Sequence, residues 1–232
     1  MQRAPGQAQA RTQLFVLIAC EESQAECAAF RALGHIAFSC DVQECKPSGN
    51  PSWHIHADCI PLLRGQKTFR TQDGIEHSVP RWDLIIAHPP CTYLCKVGSP
   101  HLIRHTDSGT FINQERWKKM IDGAKFFRQC LRAKAPYVAV ENPIPMRRAN
   151  LPKPDFYADP SWFGVKYTKK TLYWVRNLPP IMPELEHSHP RSYVHSSRGK
   201  YRSRTFPAMA EAIARQWSSY ILDELNNKHS NE

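Results

Sequence analysis

Trp82-Asp83-Leu84-Ile85-Ile86-Ala87-His88-Pro89-Pro90-Cys91 is the stretch on which the reading of this chain turns. Leu84 to Ala87 are apolar without a break, in a run too short for a helix. Bounded as it is, the segment Trp82 to Ala87 predicts a strand covered on both faces. Pro89 and Pro90 fix the backbone and remove two amide donors, so the strand cannot continue through Cys91. The thiol is left projecting from the sheet edge. A structural cysteine sits more naturally inside an apolar run, as Cys20 and Cys130 do.

The same pattern repeats on either side. Leu14 to Ala19 is a second continuous apolar run, followed by a helix over Glu22 to Leu33 that Gly34 stops. His35 to Cys40 reads as a strand ending at Asp41, and His54 to Ala57 as a short one ending at Asp58. The polar segment 67–80, with Asp73-Gly74, predicts a loop or small hairpin. Gln114 to Lys134 carries Trp117, Met120, Ile121, Ala124, Phe127 and Leu131 at helical spacing. Tyr137 to Val140 is a further strand, running into Glu141-Asn142-Pro143. Thr171 to Val175 is a later strand, and Pro207 to Leu225 a closing helix with Met209, Ile213, Trp217 and Ile221 on its core side. Strands alternating with amphipathic helices predict an α/β, Rossmann-like fold, a mostly parallel central sheet with helices on both faces.

The chain has 232 residues, 41% of them hydrophobic, enough for one substantial core. A single domain is expected over 14–232, after a Gln-, Ala- and Arg-rich leader at 1–13 expected to be disordered. No run of about twenty apolar residues exists to span a bilayer, and a cytoplasmic location is expected. Eight cysteines without a secretion signal predict free thiols, one of them chemically distinct. Cys40, Cys45, His54, His56 and Cys59 resemble zinc ligands in type but lack paired Cys-x-x-Cys knuckles, so no metal is expected. The net charge of +10 points to a polyanionic partner. Basic residues concentrate at 116–134, 166–170 and 191–204. In the last stretch Tyr193 and Tyr201 interleave with Arg198, Lys200, Arg202 and Arg204, which suits phosphate contacts and base stacking equally with a solvated loop.

Asp41, Asp58, Cys91 and Glu141 each fall at the C-terminal end of an expected strand, the edge where open α/β sheets bind ligands. Ala87-His88-Pro89-Pro90-Cys91, with Val140-Glu141-Asn142-Pro143 fifty positions on, resembles the cytosine-C5 DNA methyltransferases, especially their compact phage and prophage versions. The resemblance extends through Phe30 to His35, Trp82 to Leu94, Lys169 to Trp174 and Ser203 to Pro207.

That resemblance implies an S-adenosylmethionine-dependent methyltransferase fold and transfer of a methyl group to C5 of cytosine, leaving S-adenosylhomocysteine. Cys91 is then the nucleophile that adds to C6, Glu141 the carboxyl facing the base edge, and Lys169 a support for the flipped base and its phosphate. Asn142 holds the surrounding loop. Partial burial is expected to raise the Glu141 pKa enough for it to donate a proton near neutral pH. The donor is expected along Cys20, Glu21, Glu22 and Pro89, with Asp41 on the ribose hydroxyls and Asp58 on the adenine amino group. Lys170, Arg198, Lys200, Arg202 and Arg204 are expected to contact DNA, duplex or single-stranded. The sequence departs from the family in three places. Ala19-Cys20-Glu21-Glu22 replaces the glycine-rich donor loop, Lys169-Lys170 replaces an Arg pair, and only 176–204 is left for target recognition. Two alternatives stay open, namely the same fold acting on RNA or a free pyrimidine nucleotide, and a degenerate DNA-binding relative.

Overall fold

The computed structural model describes residues 11–106, 109–185, 191–192 and 205–229. In chain order the regular elements are β1 (Phe15–Ala19), α1 (Ala25–Ala32), β2 (Ile36–Asp41), β3 (His54–His56), α2 (Ile60–Leu63), β4 (Thr68–Arg70) and β5 (Glu76–Ser78). There follow β6 (Leu84–Ala87), β7 (Ile103–Thr106), β8 (Gly109–Ile112), α3 (Gln114–Leu131), β9 (Tyr137–Asn142) and β10 (Phe156–Ala158). The last are β11 (Tyr167–Thr168), β12 (Thr171–Arg176), β13 (Arg191–Ser192) and α4 (Pro207–His229).

A seven-stranded sheet in the order β10-β12-β9-β6-β1-β2-β3 forms the centre. The pairs β3-β2, β2-β1, β1-β6 and β6-β9 are parallel, and β12 runs antiparallel to both its neighbours. The expected Rossmann-like α/β architecture is therefore the one this chain adopts. The chain leaves β1 toward β2 and β3, then crosses back to β6 and β9. That reversal opens a crevice between the C-terminal ends of β1 and β6.

Alternation along each strand sorts the side chains into two cores. Leu17, Phe38, Ile85, Val138, Val140 and Trp174 face α2 and α3, where Phe127 and Cys130 meet them. Val16, Ile18, Ala37, Leu84, Ile86, Ala139 and Tyr173 face α1 and α4, where Phe30, Ile213 and Trp217 close the layer. Both cores are covered, which is why the central strands are apolar without alternation.

The N-terminal end of the sheet is fastened by Asp83, which is fully buried. Its carboxylate accepts the Phe15 amide at 2.8 Å, Arg81 Nε at 2.8 Å and a two-pronged contact from Arg11. Residues 11–13, assigned to the leader on sequence grounds, are tied down here, since Arg11 also exchanges hydrogen bonds with Asn226 of α4.

Strand β10 and the β7-β8 hairpin are among the elements with no counterpart in the sequence expectations, as are α2, β11 and β13. Strand β10 has three residues, too few for any period to show. The β7-β8 hairpin has all four β8 side chains exposed, so no apolar face marks it.

Candidate active site

The sheet register lines up the residues at the crevice. Cys40, Ala19, Ala87, Val140 and Trp174 share one row across five strands. One step further, Asp41, Cys20, His88 and Glu141 stand in line at the edge, with Tyr173 opposite Glu141. With strands roughly 4.8 Å apart, Asp41 and Glu141 are separated by about 14 Å along this edge.

On the β1 side the chain turns sharply. Cys20 adopts a left-handed conformation at φ 61°, where a side chain is strained and glycine is not. The turn points the Cys20 and Glu21 amides at the Cys40 carbonyl, at 2.7 and 3.2 Å. Glu21 is folded inward and its carboxylate accepts the Glu26 and Cys27 amides at 2.7 and 3.3 Å, satisfying the N-terminus of α1. Burial, and then the neighbouring Glu26, push the Glu21 carboxyl up to about 8. Glu22 pairs with Lys46 at 2.7 Å. Asp41 accepts the Gln43 amide at 2.8 Å, and the exposed Asp58 accepts the Ile60 amide at 2.9 Å. Each makes that bond through a single carboxylate oxygen.

Past β6, alternation aims His88 toward the α1 face. There its ring lies between two carboxylates, with Nε2 3.1 Å from Glu26 Oε2 and Nδ1 3.4 Å from Glu141 Oε2. Glu26 is wholly buried, while the His88 and Glu141 side chains are 14% and 15% exposed. Burial opposes charge on His88, but Glu26 and Glu141 outweigh it and hold the imidazole well above its ordinary pKa. Burial likewise works against an ionised Glu141, yet the His88 hydrogen bond and the Lys169 charge prevail and lower its pKa. The expected raised pKa of Glu141 is thus corrected, because two cations face it where the sequence suggested only an apolar strand end.

Cys91 is partly exposed at the same edge. Its thiol is pushed above its ordinary pKa by Cys95, then by burial and by the Glu141 charge, while Lys169 pulls it down. Cys95, one turn later, moves the opposite way, to about 6, chiefly through a hydrogen bond from Cys91 and against burial. The loop is stitched to the Glu141 loop. Lys96 donates to the Ile144 carbonyl at 2.8 Å, and Met146 to the Leu94 carbonyl at 2.7 Å. Asn142 is buried, donates to the Pro143 carbonyl at 2.7 Å, and has no partner for its Oδ1 among the described residues.

The structure therefore brings Cys91, Glu141, Asn142 and Lys169 together and puts Asp41 and the Cys20 turn across the crevice. Pro89 is buried beside them. Lys170 is elsewhere, with its ammonium 4.3 Å from the centre of the exposed Tyr157 ring. Arg198, Lys200, Arg202 and Arg204 lie outside the described residues, as does most of 176–204 beyond Leu185. The zinc-like set disperses. Cys40 and Cys59 are buried in the α2/α3 core, His54 bridges Ser39 and the Gln43 carbonyl, and His56 reaches the Val42 carbonyl. Sequence reasoning missed Glu26, Cys95 and the role of His88. Only the polar Glu26 on the apolar side of a helix could have flagged the first. No helix among the described residues is long and apolar enough to cross a membrane.

No family model matches the chain, and no curated protein matches it. Among solved structures it is similar to a crystal structure of a prophage-encoded E. coli protein, provisionally described as a DNA modification methyltransferase. The identity is 13% and the TM-score 0.38, over 70% of this chain and 46% of that one. The chain thus spans about half the length of that protein. Likeness at this level carries no argument about substrate or chemistry.

Proposed function

We propose that the protein is a DNA (cytosine-5)-methyltransferase that uses S-adenosylmethionine and a covalent adduct between Cys91 and C6 of an extruded cytosine. One observation carries the reading, the convergence of the Cys91 thiol, the Glu141 carboxylate and the Lys169 ammonium at one sheet edge, close enough that Glu141 raises and Lys169 lowers the Cys91 pKa and that Lys169 lowers that of Glu141.

C5 of cytosine is a weak nucleophile within an aromatic ring. Addition of a thiolate to C6, helped by a proton or hydrogen bond at N3, breaks the aromaticity and makes C5 enamine-like. Cys91 supplies the sulfur, and Cys95 beside it can take the Cys91 proton. Glu141 faces N3. Lys169 stabilises negative charge on both the carboxylate and the thiolate. The stitched loops fix the spacing between sulfur and carboxyl before substrate arrives, so little ordering cost remains at binding. A cytosine within a duplex has to leave the stack to reach Cys91.

The residues opposite fit a cationic methyl donor in their chemistry. Asp41 and Asp58 present carboxylates at the adjoining strand ends. Asp41 would hold the ribose hydroxyls and Asp58 the adenine amino group. The Cys20 and Glu21 amides are already taken by the Cys40 carbonyl, so they do not serve the donor's own carboxylate. When bound, the donor supplies an electrophilic sulfonium methyl. A bound basic tail of Arg198, Lys200, Arg202 and Arg204 would add phosphate contacts and a steep salt dependence.

The test is transfer of labelled methyl from S-adenosylmethionine to duplex DNA, single-stranded DNA, RNA and dCMP, beside Cys91→Ser. Incorporation into cytosine of DNA, its loss in Cys91→Ser, and a covalent complex with a 5-fluorocytosine oligonucleotide are expected. Full activity of Cys91→Ser would overturn the mechanism. Calorimetry with S-adenosylhomocysteine showing no binding would favour the degenerate DNA-binding alternative.

A further inference from the structure

Glu141 has to give a proton or a hydrogen bond to N3, yet in the free protein it is held ionised. A carboxylate facing the N3 lone pair repels it.

We propose that His88 is a positioning residue which, seated between the buried Glu26 and the partly exposed Glu141, stores the proton that Glu141 passes to the pyrimidine N3. The inference rests on the cytosine reading above. Its support is the unbroken line Glu26 Oε2, His88 Nε2, His88 Nδ1, Glu141 Oε2, with contacts of 3.1 and 3.4 Å. Glu26 is fully buried, and a lone buried carboxylate is costly unless a cation compensates it. Its Oε1 has no partner among the described residues, so His88 is the contact that compensates it.

The step balances. As Cys91 Sγ, its proton taken by Cys95, bonds to C6, the proton on His88 Nδ1 passes to Glu141 and from it to N3. His88 ends neutral with Nε2–H still donating to Glu26, and Glu141 ends ionised. When C5 has taken the methyl as the donor's sulfonium bond breaks, and the C5 proton has passed to solvent water, the Cys91–C6 bond breaks and the N3 proton returns by the same path.

Several groups set the His88 charge. Glu26 of α1 and Glu141 of β9 raise its pKa, and burial opposes them. Glu21, after β1, couples to both Glu26 and His88. Tyr173 of β12 faces Glu26 and Glu141 and stays protonated, its pKa pushed up by burial and then by those two carboxylates. Lys169 acts on Glu141 from the adjoining loop, and Glu141 in turn acts on Cys91. Since the store is filled only while His88 is protonated, turnover falls as pH rises through the His88 titration.

The discriminating variant is Glu26→Gln, which keeps the shape, touches no substrate and removes the charge that holds the imidazolium. His88 is followed by NMR of histidine-labelled protein, its signal identified by its loss in His88→Gln. Expected for Glu26→Gln are a His88 midpoint lower by at least about one pH unit and an equal shift of the alkaline limb of kcat. The KM for the oligonucleotide should be unchanged, with kcat down about tenfold at pH 8 and recovering on acidification. His88→Gln should lose the same alkaline limb. An unmoved midpoint overturns the proposal, and so does a moved midpoint with an unmoved limb. If the wild type forms no adduct with a 5-fluorocytosine oligonucleotide, the cytosine reading itself fails. An adduct together with an unmoved limb in Glu26→Gln removes the proton store alone.

Discussion

Replacing Cys95 with serine isolates the question of which sulfur of the Cys91–Cys95 pair carries the thiolate. In the wild type the two sulfurs share a proton. Cys95 is lowered to about 6 by the Cys91 thiol, against burial and with help from loop amides, while Cys91 is raised. At pH 7, about one unit above that value, roughly nine pairs in ten carry one thiolate. In Cys95→Ser, Cys91 keeps burial and Glu141, which raise its pKa, against Lys169, which lowers it. Its midpoint should then lie above the ordinary thiol value of about 8.5, leaving at most about 3% ionised at pH 7. That is at least a thirtyfold loss of thiolate for the segment, the wild-type thiolate being the one on Cys95. A more basic thiolate is intrinsically more reactive, with a Brønsted slope of about 0.4–0.5, which returns about tenfold over 2.5 units. The net alkylation rate of this peptide at pH 7 therefore falls only about threefold or more, and the midpoint is the better observable. The assay is iodoacetamide alkylation from pH 5 to 10, read peptide by peptide by mass spectrometry. Five of the other cysteines are buried, and the pKa of Cys20 is raised by its Cys59 contact. The wild-type peptide carrying Cys91 and Cys95 should titrate near 6, and the variant's beyond about 8.5. A Cys95→Ser midpoint still near 6 would refute the shared proton and assign the thiolate to Lys169.

Two further outcomes test other parts of the structure. Asp83→Ala removes a buried carboxylate from the Phe15 amide and from Arg11 and Arg81, whose side chains are 22% and 54% exposed. Solvent around the arginines places the loss at the low end for a broken buried pair, about 3 kcal/mol by urea denaturation, and a loss below about 1 kcal/mol would mean the Arg11 clasp does not form. Glu21→Gln tests the pH dependence of stability, because a carboxyl raised from 4.5 to about 8 by folding contributes stability that is full below 4.5 and lost as pH climbs toward 8. The glutamine variant should therefore gain on the wild type in urea midpoint as pH rises over that window, and a shrinking difference would contradict the burial argument.

Much of the scaffold was legible because it rests on short-range rules. The unbroken apolar runs at Leu14 to Ala19 and Leu84 to Ala87 became β1 and β6, and the 3.6-residue spacing from Trp117 to Leu131 became α3. Asp41 and Glu141 end strands on one sheet edge, about 14 Å apart, and Cys91 lies in the loop after β6. The β10 strand and the β7-β8 hairpin left no readable period, the one being three residues long and the other having no buried face on β8.

The sequence by itself determined that a thiol and a carboxyl would stand at the C-terminal edge of a parallel sheet, since prolines and apolar runs act on their immediate neighbours. Only the tertiary structure decided the protonation of those groups. Glu26 and His88 are 62 positions apart and His88 and Glu141 are 53 apart, and a pKa answers to charges a few ångströms away in space, whatever their distance along the chain.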